Sequence, residues 1–535
     1  MILIWVLASS LLLAVAVAIC YVYIQYNDKK LAQIPDRALK YSPERVEPED
    51  VGKLSQQLRT GQTIEATPQL PPKTGRRYIV VGGAGFLGGW IVVQLVQRGE
   101  SPKNIRVLDI RLPSRHDLLH GIGKDVDYMQ VDVSDAEAVQ QAFTSPWPQG
   151  SSPPSSAITV FHTAANIRFY ERAASLLDSS SKVNVNGTQN IIDSARSIGA
   201  SILIYTSSGS VGVHASRFLL WPWQSEPHRF VQEINDDDRR LPTKHSEFFS
   251  NYAYSKYLAE QRVRAADKLP SGSGSGLRPG RILRTGVIRP GNGVFGPGGD
   301  MLCGAYLVRQ YNPTWIYNIV SHFVYVENCA LAHLCYEQRL IDLEEHASPN
   351  PDIGGQAFAI ADPGPPPTYG DVYVTLETLS QGQTYFPQVS ATAMFTLGHL
   401  IEGYYLARHF LVSSPLSVIA KLAKLALPPV DGDIVNLQPS LFNLTMVHLI
   451  FDDSRARLPP ERGGLGYRGA WTTLEGLHKT YAEHVKGMNR SDVRSDVAGV
   501  SFGFGRGMVR AQRGVTKVAE KVEEVGVNLV KVLSH

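Results

Sequence analysis

The chain has 535 residues, of which 43% are hydrophobic and 19% are charged, so it holds enough apolar material for a large core and is not disordered throughout. The 52 basic and 49 acidic side chains leave a net charge of +3, which is too small to indicate a nucleic-acid partner. Four cysteines without paired spacing favour neither a disulfide framework nor a zinc site. We therefore expect no metal and a reducing, cytosolic environment for most of the chain.

The N-terminal segment predicts a membrane anchor. Residues 2–24 carry no charge, and as a helix they would measure about 34 Å, enough to cross a hydrocarbon core of about 30 Å. A cleaved signal peptide is the alternative, but no basic residue precedes the run and apolar residues continue beyond Ala18. Basic residues follow the run between positions 29 and 40, which favours a cytosolic location for the rest of the chain. We expect a single-pass anchor over residues 1–26 and a juxtamembrane stalk over residues 27–75.

Short apolar runs alternate with helical patterns in the next part of the chain. The predicted strands lie at residues 78–82, 105–109, 127–131, 157–162 and 202–207. Helical patterns separate them, and the longest lies near residues 171–198. Strands that are apolar on both faces and alternate with helices are typical of a parallel sheet covered by helices on both sides. The sequence therefore predicts an α/β fold with a doubly wound parallel sheet.

The turn after the first predicted strand carries a glycine pattern. Gly82, Gly85 and Gly88 have GxxGxxG spacing and lead directly into a predicted helix. Such glycines permit a tight turn, a close approach of the backbone to a pyrophosphate and close packing of helix on strand, while the helix N-terminus favours anions. A purely structural turn can have the same glycines, so the prediction depends on the strand before and the helix after.

Asp109 ends the second predicted strand, at the spacing of about 20 residues that is typical of a ribose-binding carboxylate. A carboxylate there accepts hydrogen bonds from the ribose hydroxyls and repels a 2′-phosphate, so it favours NAD over NADP. Arg111 can soften this preference, which leaves NADP open. An ordinary cap at the end of a strand is the alternative interpretation of Asp109.

Tyr252 and Lys256 are four residues apart, on one face of a predicted helix. An ammonium beside a phenol favours the phenolate and lowers the phenol pKa from about 10 towards neutrality. Such a tyrosine can exchange a proton with a hydroxyl while hydride moves to or from a nicotinamide. Ser207 and Ser208 end the fifth predicted strand, where a hydroxyl can hold the substrate oxygen. A YxxxK spacing also arises by chance, and the serines alone are consistent with an ordinary strand end.

Taken in order, these motifs resemble the extended short-chain dehydrogenases/reductases, from about residue 76 to residue 486. The motifs are GGAGFLG (82–88), LDIR (108–111), VDV (131–133), FHTAA (161–165), VNVNGTQN (183–190), YTSS (205–208), YAYSK (252–256), RPGNGVFGPGGD (289–300), FVYVENCALAH (323–333) and FDDSRARLPPERGGLGY (451–467). Within this superfamily, the motif at 323–333 and the membrane anchor are similar to the 3β-hydroxysteroid dehydrogenase/isomerase branch, and most of all to its decarboxylating sterol-4α-carboxylate 3-dehydrogenases.

The resemblance implies roles for individual residues. Tyr252 is implied as the acid/base and Lys256 as a ribose ligand that shifts the tyrosine pKa. Ser208, ahead of Ser207, is implied to position the substrate oxygen, and Asn184 to support the site. Asp132 and Val133 are implied near the adenine, and Ala164 and Ala165 near the cofactor. The full set of implied cofactor-binding residues is Gly82, Gly85, Phe86, Leu87, Gly88, Asp109, Arg111, Asp132, Val133, Ala164, Ala165, Tyr252 and Lys256.

The implied organisation is a Rossmann-type NAD(P)-binding domain over residues 76–290 and a smaller substrate-binding region over residues 291–490. The implied function is that of a membrane-anchored oxidoreductase of the endoplasmic reticulum. It would use NAD, or NADP, to oxidise the 3β-hydroxyl of a sterol or steroid, with loss of a C4 carboxylate where one is present. The implied partners are the lipid substrate, the membrane, and either a second copy or other sterol-pathway membrane enzymes.

Three other functions stay open on this scaffold. A nucleotide-sugar epimerase or dehydratase uses the same tyrosine–lysine pair but needs a polar, basic pocket for a diphosphate. An NADP-dependent carbonyl reductase acting on another substrate is the second. A non-catalytic membrane protein that binds a dinucleotide is the third, and the complete set of Tyr252, Lys256 and Ser208 argues against it.

Three further segments carry expectations of their own, and the first of them departs from the family pattern. An aromatic run at 217–230 and an acidic group at 236–238 lie between the serines and the tyrosine, where they form either an apolar substrate border or a packed surface loop. Residues 394–427 are apolar but interrupted by charges, which predicts a helix pair at the substrate entry, on the bilayer or in the core, without a second span. Residues 491–535 carry an apolar stripe and predict an amphipathic tail.

Overall fold

The computed structural model describes residues 2–60, 64–153, 156–272, 281–344 and 348–487. The predicted amphipathic tail at 491–535 lies outside the described residues. The strands are β1 (Arg77–Val81), β2 (Ile105–Asp109), β3 (Asp127–Gln130), β4 (Ile158–His162), β5 (Ile202–Thr206), β6 (Val231–Ile234), β7 (Arg284–Pro290), β8 (Val294–Phe295), β9 (Val324–Tyr325), β10 (Ala357–Ile360) and β11 (His448–Phe451).

Helices separate most of these strands and extend beyond them at both ends of the chain. They are α1 (Ile2–Leu31), α2 (Asp36–Leu39), α3 (Pro48–Arg59), α4 (Phe86–Gln97), α5 (His116–Leu119), α6 (Ala136–Thr144), α7 (Leu177–Ser181), α8 (Thr188–Ser197), α9 (Asn251–Ala265), α10 (Cys303–Arg309), α11 (Val326–Glu344), α12 (Tyr369–Leu379), α13 (Ala391–Val412), α14 (Ser417–Ala426), α15 (Pro439–Thr445), α16 (Ser454–Arg457) and α17 (Thr473–Val485).

Seven strands form one parallel sheet in the order β10-β7-β5-β4-β1-β2-β3. From β1 the chain builds the sheet outward first on one side, through β2 and β3, and then on the other, through β4, β5, β7 and β10. Parallel sheets with this reversal of order bind ligands beyond the carboxyl ends of the strands, at the point where the order reverses. That point lies between β1 and β4, and the predicted doubly wound parallel sheet is confirmed.

Alternate side chains of β1 enter two separate cores. Tyr78 and Val80 pack in one apolar cluster with residues of α4 and α11. Ile79 and Val81 pack in another with residues of α6, α8 and α9. Successive side chains of a strand point to opposite faces of the sheet, so a strand that is apolar at every position needs helices on both sides. The five predicted strands all belong to this sheet.

Two features of the sheet region differ from the simple sequence pattern. The predicted helix near 171–198 is divided into α7, a π-helical segment at Lys182–Gly187 and α8. In addition, β7 and β10 extend the sheet beyond the five predicted strands. β10 comes from the region predicted to bind substrate, so that region also contributes a strand to the sheet. The domain boundaries stay a prediction.

A third apolar cluster, rich in aromatic rings, packs against Tyr252, and we call this part of the molecule the substrate side. It combines residues from α9, α10, α12, α13 and α15 with residues of the loop before α9. Parallel pairing of β6 with β11 joins this loop to the C-terminal part of the chain. The side of the molecule that faces Tyr252 is therefore built mainly of hydrocarbon and aromatic groups.

Helix α1 projects from this side of the molecule. It has 30 residues, and its apolar side chains Leu11, Leu12 and Val22 are exposed. Within the described ranges it is the one helix with both the length and the composition to cross a membrane. This observation agrees with the predicted anchor without placing the helix in a bilayer.

Candidate active site

The glycine loop between β1 and α4 packs so closely that Gly82 and Gly88 have no room for a side chain. Gly82 has a φ of +84°, and a Cβ atom there would lie 2.6 Å from the backbone nitrogen of Ala164. A Cβ atom on Gly88 would lie 2.3 Å from the Gly82 carbonyl oxygen. Gly85 is the N-cap of α4, and Phe86 and Leu87 form the first turn of that helix. The loop therefore presents backbone and a helix N-terminus to the crevice, which fits a pyrophosphate.

Asp109 lies directly beside this loop. Its carboxylate accepts hydrogen bonds from the backbone nitrogens of Ala84 at 3.2 Å and Arg111 at 3.0 Å. Burial raises the pKa of Asp109, and the backbone hydrogen bonds oppose this rise. The Arg111 side chain is exposed. The structure thus brings the predicted ribose-binding carboxylate to the predicted pyrophosphate loop.

The other residues predicted near the cofactor follow the neighbouring strands. Asp132 is exposed just after β3, and Val133 is buried, with its carbonyl accepting a hydrogen bond from Asn190 at 2.9 Å. Ala164 follows β4 and donates its backbone N–H to Val81 at 3.2 Å, and Ala165 comes next in the chain. Because the strands are parallel, their carboxyl ends share one edge of the sheet. All these residues therefore lie along the edge that carries the glycine loop.

Tyr252 and Lys256 both lie on α9, which is capped by the side chain of Ser250. Lys256 is buried, and its Nζ donates a hydrogen bond to the Thr206 carbonyl oxygen at 2.6 Å. The same Nζ lies 4.2 Å from the centre of the Tyr205 ring. Burial lowers the pKa of Lys256 to about 7, while the charge of Glu260 raises it. The ammonium is thus fixed at the end of β5, beside the strand that carries the serines.

Ser208 precedes the turn Gly209–Gly212, which packs against α9, and its side chain lies close enough to the Tyr252 phenol to lower the phenol pKa. The structure therefore brings the predicted acid/base and the predicted oxygen-positioning residue together. Burial nevertheless raises the pKa of Tyr252 to about 12, and the Ser208 hydroxyl lowers it only in part. This differs from the expectation that Lys256 acidifies the phenol. The physical reason is that the ammonium is bonded to the Thr206 carbonyl, while the phenol lies against the apolar cluster.

Ser207 has a different role from its neighbour. Its hydroxyl donates a hydrogen bond of 2.7 Å to Glu260, which is fully buried. Glu260 also accepts hydrogen bonds from the Arg289 guanidinium, at 3.1 Å from Nε. Because the Ser207 hydroxyl is engaged in this way, Ser208 is the serine available to a substrate at Tyr252. Sequence reasoning missed Glu260, although its position four residues after Lys256 on the same helix was a readable signal.

Asn184 connects the loop after β4 to the catalytic helix. It lies in the π-helical segment, where its side chain accepts a hydrogen bond from the Asn166 nitrogen at 2.7 Å. Its Nδ2 donates to the Asn166 carbonyl at 3.0 Å and to the Ser255 hydroxyl at 2.9 Å. Ser255 immediately precedes Lys256, so Asn184 ties the loop at Asn166 to α9 beside the lysine, and its supporting role stays a prediction.

The segment between the serines and the tyrosine divides into a packed part and an exposed part. Phe218 is buried against Phe395 of α13, whereas Trp221 and Trp223 are exposed. In the acidic group, Asp238 bonds to Arg264 and Arg289. Asp238 therefore fastens the segment to α9 and β7.

The reversed parallel sheet, the glycine loop and the grouping of Tyr252, Lys256 and Ser208 define a protein of the short-chain dehydrogenase/reductase class. Residues 79–383 match the 3-beta hydroxysteroid dehydrogenase/isomerase family, and the chain belongs to this family. The family consists of NAD(P)-dependent dehydrogenases, which agrees with the cofactor predicted from the glycine loop and Asp109.

Curated relatives carry related names. The chain is 30% identical over 299 residues to mouse 3 beta-hydroxysteroid dehydrogenase type 7, covering 55% of this chain and 70% of the relative. It is 28% identical over 288 residues to a decarboxylating sterol-4-alpha-carboxylate 3-dehydrogenase of Schizosaccharomyces pombe, covering 53% of this chain and 68% of the relative. A similar protein from Arabidopsis thaliana is a 3beta-hydroxysteroid-dehydrogenase/decarboxylase, 27% identical, with 76% of this chain and 62% of that one covered.

Proposed function

We propose that this protein oxidises the 3β-hydroxyl of a membrane sterol with NAD, and that a C4 carboxylate leaves as carbon dioxide when the substrate carries one. The observation that carries the proposal is the position of Ser208 beside Tyr252, at the edge of an aromatic, apolar cluster and with Lys256 on the same helix. Membership of the dehydrogenase family and the names of the relatives support the reaction and the substrate class.

In the proposed reaction the Tyr252 phenolate accepts the proton of the 3-hydroxyl. Bound NAD supplies the acceptor for the hydride that leaves C3. Ser208 donates a hydrogen bond to the substrate oxygen and holds it within reach of the phenol, which is where charge develops. For Tyr252 to act near neutral pH, its pKa must fall from about 12, and the Ser208 hydroxyl acts in that direction.

Loss of the carboxylate follows from the substrate itself. Once C3 is a ketone, a carboxylate on C4 belongs to a β-keto acid. The bond from C4 to the carboxylate carbon breaks, carbon dioxide leaves, and the electron pair moves into the ketone to give an enolate. Protonation at C4 then gives the 3-ketone, so the site needs no second dedicated catalytic group for this step.

The choice of NAD rests on Asp109, which is held beside the glycine loop by backbone hydrogen bonds. Its carboxylate would accept hydrogen bonds from the ribose hydroxyls and repel a 2′-phosphate. We further propose that α1 anchors the protein in the endoplasmic reticulum membrane with the catalytic part in the cytosol, because basic side chains, among them Lys29 and Lys30, lie at its C-terminal end.

The test is turnover by the full-length protein in detergent micelles, with NAD and a panel of 3β-hydroxysterols with and without a C4 carboxylate. We expect NADH absorbance with these sterols and release of carbon dioxide only from the carboxylated ones. Replacement of Tyr252 by Phe should lower kcat by about 10²–10⁴-fold, the usual contribution of a positioned acid/base.

Tyr254→Phe is the matched control, because Tyr254 lies on the same helix and packs on Phe248. It should retain most of the activity. NADH formation with none of the sterols, or unchanged turnover by Tyr252→Phe, would overturn the proposal.

A further inference from the structure

Helices α13 and α14 form a hairpin with an apolar surface that no other part of the described chain covers. In α14 the one buried residue is Ala423, and Leu425 is 86% exposed. The exposed apolar side chains of this hairpin include Leu400, Phe410, Leu416, Val418, Leu422 and Leu425. Apolar patches of this kind on a soluble surface mark contacts with a partner or a membrane.

The distribution of residues on α14 is that of a helix lying in a membrane interface. Val418, Leu422 and Leu425 are four and three residues apart, so they form one exposed stripe. Lys421 and Lys424 are also exposed and lie next to that stripe. Apolar residues that enter the acyl boundary, flanked by lysines that reach the headgroups, are typical of interfacial helices and favour anionic lipid.

The hairpin is rigidly joined to α1. Asn27 donates a hydrogen bond to the Thr392 hydroxyl at 2.8 Å, and Asp28 accepts hydrogen bonds from the Thr392 nitrogen at 2.8 Å and hydroxyl at 2.6 Å. Thr392 belongs to the first turn of α13. Asn27 comes three residues after the apolar run ends at Ile24, about 4.5 Å along the helix axis. If α1 spans the bilayer, α13 therefore begins at the depth of the lipid headgroups.

Aromatic residues surround the same junction. The Tyr23 hydroxyl donates to the Leu220 carbonyl at 3.0 Å, and the Tyr26 hydroxyl donates to the Pro222 carbonyl at 2.9 Å. Trp221 and Trp223, on either side of Pro222, stack on each other and are exposed, Trp223 to 78%. Exposed tryptophan and tyrosine beside the end of an apolar helix are typical of the membrane–water interface.

We propose that Trp221, Trp223 and the exposed faces of α13 and α14 form a bilayer-contact surface, which seats the domain on the membrane from which α1 emerges. The committed partner is a lipid bilayer with anionic headgroups. The apolar stripe, the two adjacent lysines and the hydrogen-bonded connection to α1 all fit this partner.

This inference rests on the proposed function and extends it to the route of the substrate. On its inner side, α13 contacts the catalytic helix through one residue. The Tyr405 hydroxyl donates to the Glu171 carboxylate at 2.7 Å, and the Glu171 carbonyl accepts the Asn251 N–H at 2.7 Å, one residue before Tyr252. The bilayer-contact surface and Tyr252 are thus separated by one helix and one loop, so the face of the domain proposed to meet the lipid lies close to the site of sterol oxidation.

The test measures the depth of the hairpin in a membrane with the full chain. Spin labels are attached to cysteines at Leu422 and Leu425, in a protein with Cys20→Ser and Cys335→Ser, reconstituted in vesicles of phosphatidylcholine with phosphatidylserine. The matched control is a label at Leu119, which is exposed on α5 and remote from the hairpin in the fold. We expect the ratio of oxygen to nickel-chelate collision rates to be several-fold higher at 422 and 425 than at 119.

Two outcomes would overturn the inference. Equal ratios at all three positions would show that the hairpin faces water. Dipolar broadening between labels at 425 in different copies would show that a second chain covers the surface instead of lipid. Neither outcome depends on turnover, so a failure here is distinguishable from a failure of the proposed sterol oxidation.

Discussion

The two sides of the active site are built in different ways. The cofactor side consists of β1, the glycine loop, α4 and β2, which follow one another within residues 77–109. The substrate side joins α1, the loop around Phe218, α9, α13 and β11, which are spread over residues 2–451. The cofactor side presents mainly backbone atoms to its ligand, whereas the substrate side presents side chains.

This difference explains why the chemistry is easier to infer than the substrate. In the glycine loop the backbone itself binds the ligand, so glycine is required at fixed positions close together in the sequence. A side chain at Gly82 or Gly88 would collide with neighbouring backbone atoms. An apolar surface assembled from distant segments requires only hydrophobic character at each position. The reaction class is therefore a local property of this chain, while the substrate class is a property of its tertiary structure.

Gly88→Ala tests the rigidity of the cofactor side and has the largest expected effect. The new methyl group would lie 2.3 Å from the Gly82 carbonyl oxygen, so the loop or the helix must move. We expect NAD binding, measured by titration calorimetry, to become undetectable. Gly52→Ala is the control, because a Cβ atom there has no neighbour within 4 Å. Normal NAD affinity in Gly88→Ala would show that the loop is more adaptable than its packing suggests.

Particular residues show how far the sequence could be read. The five predicted strands, the glycine loop and the position of Asp109 beside it follow from local patterns, and all are found in the structure. Glu260 could be noticed four residues after Lys256, but its hydrogen bond with Ser207 could not be predicted, because Glu260 is buried there only with the compensating charge of Arg289 from β7. The rise in the Tyr252 pKa was missed for a similar reason, since burial comes from segments that are distant in sequence.

The two adjacent serines give a prediction on the substrate side. Ser208→Ala removes a hydrogen bond to the oxygen on which charge develops, and we expect kcat to fall by about 10²-fold, as for other donors of this kind. Ser207→Ala removes a donor to buried Glu260, so we expect a loss of stability of about 1–3 kcal/mol and a smaller change in kcat. Sterol turnover and thermal unfolding of both variants separate the two roles. A larger loss of kcat in Ser207→Ala would reverse the assignment.

Asp109→Asn tests whether Asp109 gives the protein its preference for NAD over NADP. The amide oxygen can still accept the Ala84 hydrogen bond, but the negative charge that repels a 2′-phosphate is lost. We expect the ratio of kcat/KM for NAD over NADP to fall about tenfold, which corresponds to about 1.4 kcal/mol. Initial rates with the two cofactors measure this ratio. An unchanged ratio would mean that another residue selects the cofactor, and exposed Arg111 is the first alternative.

The buried Lys256 amine gives a prediction on stability, in the form of a pH dependence. Burial lowers the pKa of Lys256 to about 7 in the folded protein from 10.5, so between these values the unfolded chain binds a proton that the folded chain does not. Stability contributed by this group therefore rises with pH across that window, by about 1 kcal/mol per pH unit. Thermal unfolding in detergent micelles at pH 7 to 9.5 should show the wild type gaining stability relative to Lys256→Met. Lys53→Met, at an exposed position, should track the wild type. A constant difference between the wild type and Lys256→Met would show that Glu260 keeps the lysine charged in the folded state, so that the ammonium beside Tyr252 persists at every pH at which the enzyme works.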